Sequence, residues 1–160
     1  MNILMVCTGN ICRSPTAEGM LRHYLAKAGL DSRVRVDSAG THDYHIGDPP
    51  DPRSIRHARS AGIDISGLRA RQVSRADFEH FDLLLAMDGG HLQSLQRLAP
   101  PALRDRAKLY LDFAPAQPLR DMPDPYYGNA DGFDLVIRLC HAGSSGLLTH
   151  IRKTFGISEI

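Results

Sequence analysis

The first thirty residues constrain the fold more than any other part of this 160-residue chain. Residues 2–7 form an apolar run without polar alternation, which is typical of a strand buried on both faces. Ser14 is a favourable helix N-cap, and Pro15 suits the first helical position. Apolar residues then recur at helical spacing until Gly29. The chain is therefore predicted to begin with a strand, a tight loop and a helix.

The rest of the chain repeats this alternation of strands and helices. Buried-strand patterns occupy residues 34–38, 81–87 and, more weakly, 108–111. Helices are predicted at residues 52–61, just after Ser74, at 89–98 and at 130–152, the last disturbed by Gly143 and Gly146. Alternating elements of this kind predict a single α/β domain over residues 1–160, with a mostly parallel sheet flanked by helices. Ligands of such sheets bind at the carboxyl ends of the strands.

The overall composition excludes several classes of function. The formal net charge of +1 provides no broad field for nucleic acid or an anionic membrane. No signal peptide or membrane-spanning run is expected. The three cysteines are too few for a disulfide scaffold. These features predict a cytoplasmic protein with reduced thiols and without nucleic-acid or membrane partners. No cofactor is expected.

The loop after the first strand carries the strongest chemical signal. It is called the anion loop below and comprises Cys7, Thr8, Gly9, Asn10, Ile11, Cys12, Arg13 and Ser14. Consecutive backbone N–H groups between a strand and a helix can surround one tetrahedral anion, and the Arg13 guanidinium can grip two of its oxygens. The same surroundings favour the thiolate of Cys7, to which the Ser14 hydroxyl can add a hydrogen bond. One loop would thus bind a phosphate dianion and supply the nucleophile.

The anion loop has two other interpretations. Cys7 could be only a buried residue at a strand end, since free cysteines are often buried. ATP binding by a P-loop is disfavoured because no Gly-Lys-Ser/Thr follows at the required spacing.

A leaving oxygen would need a proton, and Asp124, in an Asp-Pro sequence beside Tyr126 and Tyr127, is the best candidate donor. The alternative for Asp124 is an ordinary Asp-Pro turn.

With these residues in place, the sequence resembles the low-molecular-weight protein tyrosine phosphatases. The resemblance rests first on residues 6–18, Val-Cys-Thr-Gly-Asn-Ile-Cys-Arg-Ser-Pro-Thr-Ala-Glu, and on residues 124–128, Asp-Pro-Tyr-Tyr-Gly. Residues 38–41, 51–53, 70–73 and 85–88 look like further landmarks of that family. The resemblance spans nearly the whole chain, with its two main motifs in the right order.

The resemblance implies a role for each matching position. Cys7 would be the nucleophile, Arg13 would bind phosphate, and Asp124 would serve as general acid and then as base. Asn10 would hold the loop in its strained shape, and Cys12 would be the neighbouring thiol that bonds to Cys7 on oxidation. The implied fold is a four-stranded parallel sheet flanked by helices, and the implied chemistry uses no metal.

The pocket wall is where the chain departs from the family pattern. An aromatic residue, often Trp, helps to wall the pocket in the eukaryotic type, but this chain has no Trp. Tyr44 is the expected substitute, with Tyr126 or Tyr127 opposite, and such walls favour phosphotyrosine-containing proteins as substrates. Alternatively, Tyr44 is a solvated loop residue. His42 and His45 lack metal-site spacing and are interpreted as polar loop residues.

Two rival functions are kept. A thioredoxin-coupled arsenate reductase shares the fold, but it needs two further cysteines close together, and only Cys140 lies downstream. A catalytically inactive module for anion or protein binding would keep the loop without turnover. Asp88 is expected either to order the edge of the site or to cap a helix. The sequence does not indicate an oligomeric state.

Overall fold

The computed structural model describes residues 1–158, which form a four-stranded sheet between two layers of helices. The strands are β1 (Asn2–Cys7), β2 (Arg35–Gly40), β3 (Leu83–Ala86) and β4 (Ala107–Leu109). The α-helices are α1 (Arg13–Lys27), α2 (Pro52–Ser60), α3 (Asp77–His80), α4 (Gly89–Leu98) and α5 (Ala130–Phe155). All three strand pairings are parallel, in the order β2-β1-β3-β4. The predicted fold class is confirmed.

Strand β1 is the centre of the core because its two faces pack against different layers. Ile3, Met5 and Cys7 belong to the apolar cluster that includes α1 and α5. Leu4 and Val6 face the other cluster, which contains residues of α3 and α4. Both faces are covered, which explains why the sequence of β1 shows no alternation of apolar and polar residues.

The strand order places the site. The chain passes from β1 to β2 on one side of the sheet and then returns to β3 on the other side of β1. The loops that follow β1 and β3 therefore diverge and leave a crevice at the carboxyl ends of these two strands. The anion loop follows β1, and Asp88 follows β3, so both lie at this crevice.

The structure corrects two local predictions, a helix N-cap and the bounds of a strand. Ser14 is not the N-cap of α1, because the helix begins at Arg13 with Cys12 as its N-cap, and the Ser14 side chain points to Cys7 and Asn10 instead. The fourth strand is Ala107–Leu109 rather than residues 108–111, since a 3-10 helix begins at Tyr110.

The glycines of α5 do not disturb the helix, which runs unbroken from Ala130 to Phe155. They allow close packing: a Cβ on Gly143 would overlap the Tyr110 ring, and a Cβ on Gly146 would overlap the Phe113 carbonyl oxygen. Among residues 1–158, no helix is both long and apolar enough to cross a membrane.

Candidate active site

The backbone of the anion loop turns its carbonyl groups outward. The carbonyl oxygens of Cys7 and Thr8 accept hydrogen bonds from Thr41 and His42 at 2.8 and 3.1 Å, and that of Ile11 accepts one from Asp51 at 2.8 Å. A carbonyl and the N–H of the same peptide unit point in opposite directions. The next N–H groups along the chain therefore point into the loop, where they can surround an anion.

Asn10 holds this loop in an unusual backbone conformation. Its φ of 59° is the only positive value at a non-glycine residue within the described chain, and asparagine tolerates this region better than most residues. The Asn10 amide nitrogen donates to the hydroxyls of Ser14 and Ser38 at 2.8 and 2.9 Å, and its oxygen accepts from the Arg71 N–H at 3.1 Å. These three bonds fix the side chain and, through it, the backbone.

The same network reaches the Cys7 sulfur. The Ser14 hydroxyl lies 3.0 Å from Cys7 Sγ, so it can donate to a thiolate there. At the other end, the Ser38 hydroxyl donates to Glu18 Oε1 at 2.7 Å. Glu18 is 1% exposed, and burial raises its pKa although Ser38 and Arg22 oppose that change. Ser38 and Glu18 lie inside the motifs quoted above, but spacing alone did not indicate that they join one network.

Arg13 lies beneath the crevice with both ends of its guanidinium held. Nη1 donates to Asp88 Oδ2 and to the carbonyl oxygen of Met122, each at 2.9 Å. Nη2 donates to the Thr8 hydroxyl at 3.4 Å and lies 3.6 Å from Asp124 Oδ2. Arg13 is 4% exposed, so it is a fixed group rather than a mobile surface charge.

Asp88 fulfils both roles that the sequence left open. Its Oδ1 accepts from the His91 N–H at 2.9 Å and so caps α4, while its Oδ2 binds Arg13. Burial opposes ionisation, but the bond from His91 and the charge of Arg13 hold the pKa of Asp88 below its ordinary value. A negative charge therefore stays beside the guanidinium.

Asp124 lies at the rim, on the loop that follows the 3-10 helix Tyr110–Phe113. Its Oδ1 accepts from the Tyr126 N–H at 3.0 Å, which is the turn geometry expected of Asp-Pro. Its Oδ2 faces Arg13, and its side chain is 41% exposed. Asp124 can therefore form the Asp-Pro turn through Oδ1 and still face Arg13 through Oδ2.

A cavity of about 220 Å³ opens above the anion loop. It is lined by Cys7, Thr8, Gly9, Ile11, Cys12, Arg13, Tyr44, His45, Asp124, Tyr126 and Tyr127. Every predicted site residue except Asn10 and Ser14 lines it, and those two lie buried beneath it. A larger depression of about 850 Å³ lies among residues of α1 and β2 and contains none of them. The chemistry favours the smaller cavity.

The walls of this cavity are aromatic. Tyr44 stacks on His42 with ring centroids 4.9 Å apart, and Tyr126 meets Tyr127 edge to face at the same separation. His45 was interpreted only as a polar loop residue, yet it lies against the anion loop: a Cβ on Gly9 would be 2.9 Å from its ring. A side chain at position 9 would therefore have to displace the His45 ring.

Cys12 lines the same cavity but differs from Cys7 in its surroundings. It clusters with Ile11, Ala70 and Phe133. Burial raises the pKa of the Cys12 thiol to about 12, an effect that a hydrogen bond with Ser54 only partly offsets. Cys12 is therefore a protonated thiol.

No motif in the sequence pointed to His91 as a residue of this site. Its Nε2 lies 2.7 Å from the Thr8 hydroxyl, and the ring is 5% exposed. The only sequence feature that could have indicated a role for His91 is its position three residues after Asp88, in the first turn of α4. No group of three or more His, Cys, Asp or Glu side chains suited to a metal ion occurs within residues 1–158.

Comparison with known proteins agrees with this geometry. A family model described as low molecular weight phosphotyrosine protein phosphatase matches residues 2–156. The low-molecular-weight protein-tyrosine-phosphatase YfkJ of Bacillus subtilis is 42% identical over 154 residues, covering 96% of this chain and 97% of the relative. Its crystal structure superposes with a TM-score of 0.91 over 96% of each chain.

Two further solved structures are similar over nearly their whole length. A protein tyrosine phosphatase from Entamoeba histolytica, with Hepes in its active site, has a TM-score of 0.94 at 32% identity, covering 97% of this chain and 99% of that one. A Drosophila arginine phosphatase has a TM-score of 0.89 at 29% identity, with coverages of 95% and 98%.

Proposed function

The chain belongs to the low-molecular-weight phosphotyrosine protein phosphatase family, and on that premise we propose that it hydrolyses phosphotyrosine in proteins through a cysteinyl-phosphate on Cys7. The observation that carries this proposal is the position of the Cys7 sulfur. It lies 3.0 Å from the Ser14 hydroxyl in the cavity that Arg13 and Asp124 also line. Nucleophile, anion-binding group and proton donor thus share one site.

In the first step, the phosphate dianion takes the place prepared by the loop N–H groups and Arg13. The Cys7 thiolate attacks phosphorus, the S–P bond forms and the bond to the tyrosine oxygen breaks. Asp124 gives its proton to that leaving oxygen. The equatorial oxygens carry the developing charge, so the fixed donors of the loop provide most of the stabilisation.

In the second step, the Asp124 carboxylate removes a proton from water as the water attacks phosphorus. The S–P bond breaks, inorganic phosphate leaves, and the Cys7 thiolate is restored with the help of the Ser14 hydroxyl. Asp124 ends protonated, ready for the next cycle. One carboxyl group therefore serves as acid and then as base.

The cavity walls support an aryl phosphate as the substrate. Tyr44 and Tyr126 stand on the rim with exposed fractions of 68% and 38%, so each has ring surface available to stack on a phenyl group. The similarity to an arginine phosphatase makes phosphoarginine the substrate to test against. Stacking on these aromatic walls should increase the affinity for an aryl phosphate more than for an alkyl phosphate.

The decisive experiment is turnover of p-nitrophenyl phosphate, a phosphotyrosine peptide and a phosphoarginine peptide, with and without EDTA. We expect hydrolysis of both aryl esters, an acidic optimum and no effect of EDTA. Cys7→Ser should be inactive yet still bind phosphate weakly. An inactive wild-type protein that binds phosphate would instead be an anion-binding module, and a preference for phosphoarginine would replace the proposed substrate.

The arsenate reductase alternative has little support. The only cysteine beyond the anion loop, Cys140, is fully buried in α5. It has no second downstream thiol with which to form a relay, since Cys7 and Cys12 are the only other cysteines.

We also propose that the enzyme is redox-sensitive through Cys7 and Cys12, both of which are free and line the cavity. Peroxide would oxidise the Cys7 thiolate to a sulfenic acid, and the Cys12 thiol would then condense with it, releasing water and forming a disulfide. Cys12→Ser should stay active but lose recovery by reductant after peroxide, whereas Cys140→Ser should recover like the wild type. Equal recovery of all three proteins would contradict this proposal.

A cytoplasmic location is likewise a proposal. It rests on three cysteines that are all free, as is usual in a reducing compartment. We further propose that residues 1–160 act as one phosphatase domain, of which the family match covers residues 2–156.

A further inference from the structure

His91 is a buried titratable group that touches the anion loop and has no part in the mechanism above. Its Nε2 lies 2.7 Å from Thr8 Oγ1. Its Nδ1 is buried without a hydrogen bond, although it lies 3.2 Å from Asp88 Oδ1. That carboxylate oxygen already accepts from the His91 backbone N–H. The ring therefore bridges two residues that both hold Arg13.

These contacts select one neutral tautomer. A bare Nδ1 lone pair would face the negative Asp88 oxygen at 3.2 Å, whereas a proton on Nδ1 is attracted to it. With the proton on Nδ1, Nε2 is an acceptor, and the Thr8 hydroxyl must donate to it. The lone pairs of Thr8 Oγ1 are then left for Arg13 Nη2, 3.4 Å away.

We propose that His91 is a positioning residue for the phosphatase reaction. Its Nε2 accepts a hydrogen bond from the Thr8 hydroxyl, so that Thr8 Oγ1 can accept from Arg13 at one end of the guanidinium while Asp88 holds the other end. This inference rests on the proposed function, because it assigns a partner to the group that stabilises the transferring phosphoryl. The plane of the Arg13 fork follows from bonds at both of its ends.

Burial, assisted by the charge of Arg13, keeps His91 in the neutral form that this arrangement needs. Burial lowers the pKa of His91 to about 4, and the positive charge of Arg13 adds to the effect. Asp88 and Asp124 oppose this lowering, and His42 assists it. A protonated ring would turn Nε2 into a donor and would take from Thr8 the lone pair that faces Arg13.

The test compares His91→Leu, which removes the acceptor, with His91→Gln, whose amide oxygen can still accept from Thr8. Both are assayed for kcat and KM on p-nitrophenyl phosphate and titrated with vanadate and with inorganic phosphate. Vanadate resembles the transition state, whose equatorial oxygens Arg13 must meet, whereas phosphate resembles the ground state. Gln93→Ala, an exposed change on the same helix, is the matched control.

We expect His91→Leu to lower kcat about tenfold, less than the ~10²–10³ lost when a direct transition-state donor is removed. KM should change little, and vanadate affinity should fall more than phosphate affinity. His91→Gln should recover most of the loss, and Gln93→Ala should match the wild type. Thr8→Val should reproduce the loss, and combining it with His91→Leu should add little.

Equal losses in His91→Leu and His91→Gln, or equal losses of vanadate and phosphate affinity, would overturn the inference, because His91 would then be only a packing residue. If His91→Leu fails to fold, Thr8→Val and His91→Gln still test the inference, because Thr8→Val should lower kcat and His91→Gln should keep most of it. The titrations with vanadate and phosphate do not require the protein to turn over a substrate. A wild-type protein that cannot hydrolyse phosphotyrosine would therefore contradict the proposed function while vanadate and phosphate binding still tested His91.

Discussion

The anion loop and the loop that carries Asp124 are built in opposite ways. In the anion loop, Asn10, Arg13 and Ser14 are at most 4% exposed, and side-chain hydrogen bonds fix each of them. The acid loop, residues 114–128, leaves Tyr127 89% exposed, and the Asp124 side chain makes one hydrogen bond, to the backbone two residues later. One side of the site is buried and fixed, and the other is exposed to solvent.

The acid loop is anchored just before its functional residue. Arg120 donates to the carbonyl oxygens of three residues, Leu111, Ala114 and Gln117. Asp121 accepts from the Gly89 N–H, and Met122 bonds to Met87 through its N–H and to Arg13 through its carbonyl. Arg13 therefore positions this loop, in addition to its proposed role in binding phosphate. The difference indicates that preorganisation is concentrated around the proposed anion site, while the proposed proton donor keeps contact with water.

The largest expected effect that separates the two regions comes from Asp124→Asn. It should lower kcat on phosphotyrosine by about 10²–10⁴-fold, because the leaving oxygen loses its proton donor. Phosphate binding should be unchanged or tighter, since a negative charge 3.6 Å from Arg13 is removed. The free energy of unfolding should stay within ~0.5 kcal/mol, as for most exposed substitutions.

Steady-state kinetics across aryl phosphates of falling leaving-group pKa supply the control for this prediction. Good leaving groups need little protonation, so the loss should shrink along the series. A loss of equal size for every ester, or a large loss of phosphate affinity, would show that Asp124 supports the anion site instead.

Substitutions of Asn10 should instead reduce stability. Asn10→Ala removes three hydrogen bonds and puts alanine at φ 59°, so we expect a loss of about 2–4 kcal/mol in the free energy of unfolding. Asn10→Gly loses the same bonds without the backbone strain and should be about 1 kcal/mol more stable than Asn10→Ala. Urea unfolding of both variants measures this, and equal stabilities would show that the positive φ carries no strain here.

The fold and the anion loop could be predicted from local sequence patterns, whereas Asp124 could be connected to the site only through its motif. The apolar run at residues 2–7 indicated the central strand because burial on both faces leaves a pattern that local spacing reveals. The juxtaposition of Cys7 and Arg13 followed because both lie within one short loop. Asp124 lies more than a hundred residues away, and only its motif, not any periodicity, connected it to that loop.

What the sequence did not reveal depends on tertiary contacts. Ser14 has the side chain of an N-cap, but its hydroxyl is used by Asn10 and Cys7, so the helix starts without it. Gly143 was expected to weaken a helix and instead makes room for Tyr110. His91 carries no local signal, because its partner Thr8 is 83 positions away.

A smaller effect should appear in the pH dependence of stability on the buried side. Burial and Arg13 lower the pKa of His91 from 6.5 to about 4. The unfolded chain therefore binds this proton more tightly, and the free energy of unfolding falls as the pH drops from about 6.5 to about 4. Asp88, whose pKa is lowered from 3.8, loses its contribution only below that window.

Urea unfolding of the wild type and of His91→Gln isolates this contribution. Between about pH 7.5 and 4.5, the wild type should lose about 2–3 kcal/mol more than the variant. Subtracting the variant cancels the groups common to both proteins, including Glu18, whose raised pKa acts in the opposite direction. Parallel curves for the two proteins would mean that His91 titrates normally in the folded state.

The smallest expected effect tests the exposed side and concerns Tyr44, which the sequence left between a pocket wall and a solvated residue. Its ring is 68% exposed, stacks on His42 at 4.9 Å and lines the cavity. Tyr44→Ala should lower kcat/KM for a phosphotyrosine peptide about three- to tenfold, the equivalent of one aromatic contact of about 0.5–1.5 kcal/mol. An alkyl phosphate should be unaffected, because it has no ring to stack. Tyr44→Phe keeps the ring and should match the wild type on both substrates. A loss shared by the peptide and the alkyl ester would place Tyr44 among the residues that shape the loop, and no loss on either would leave it a solvated residue.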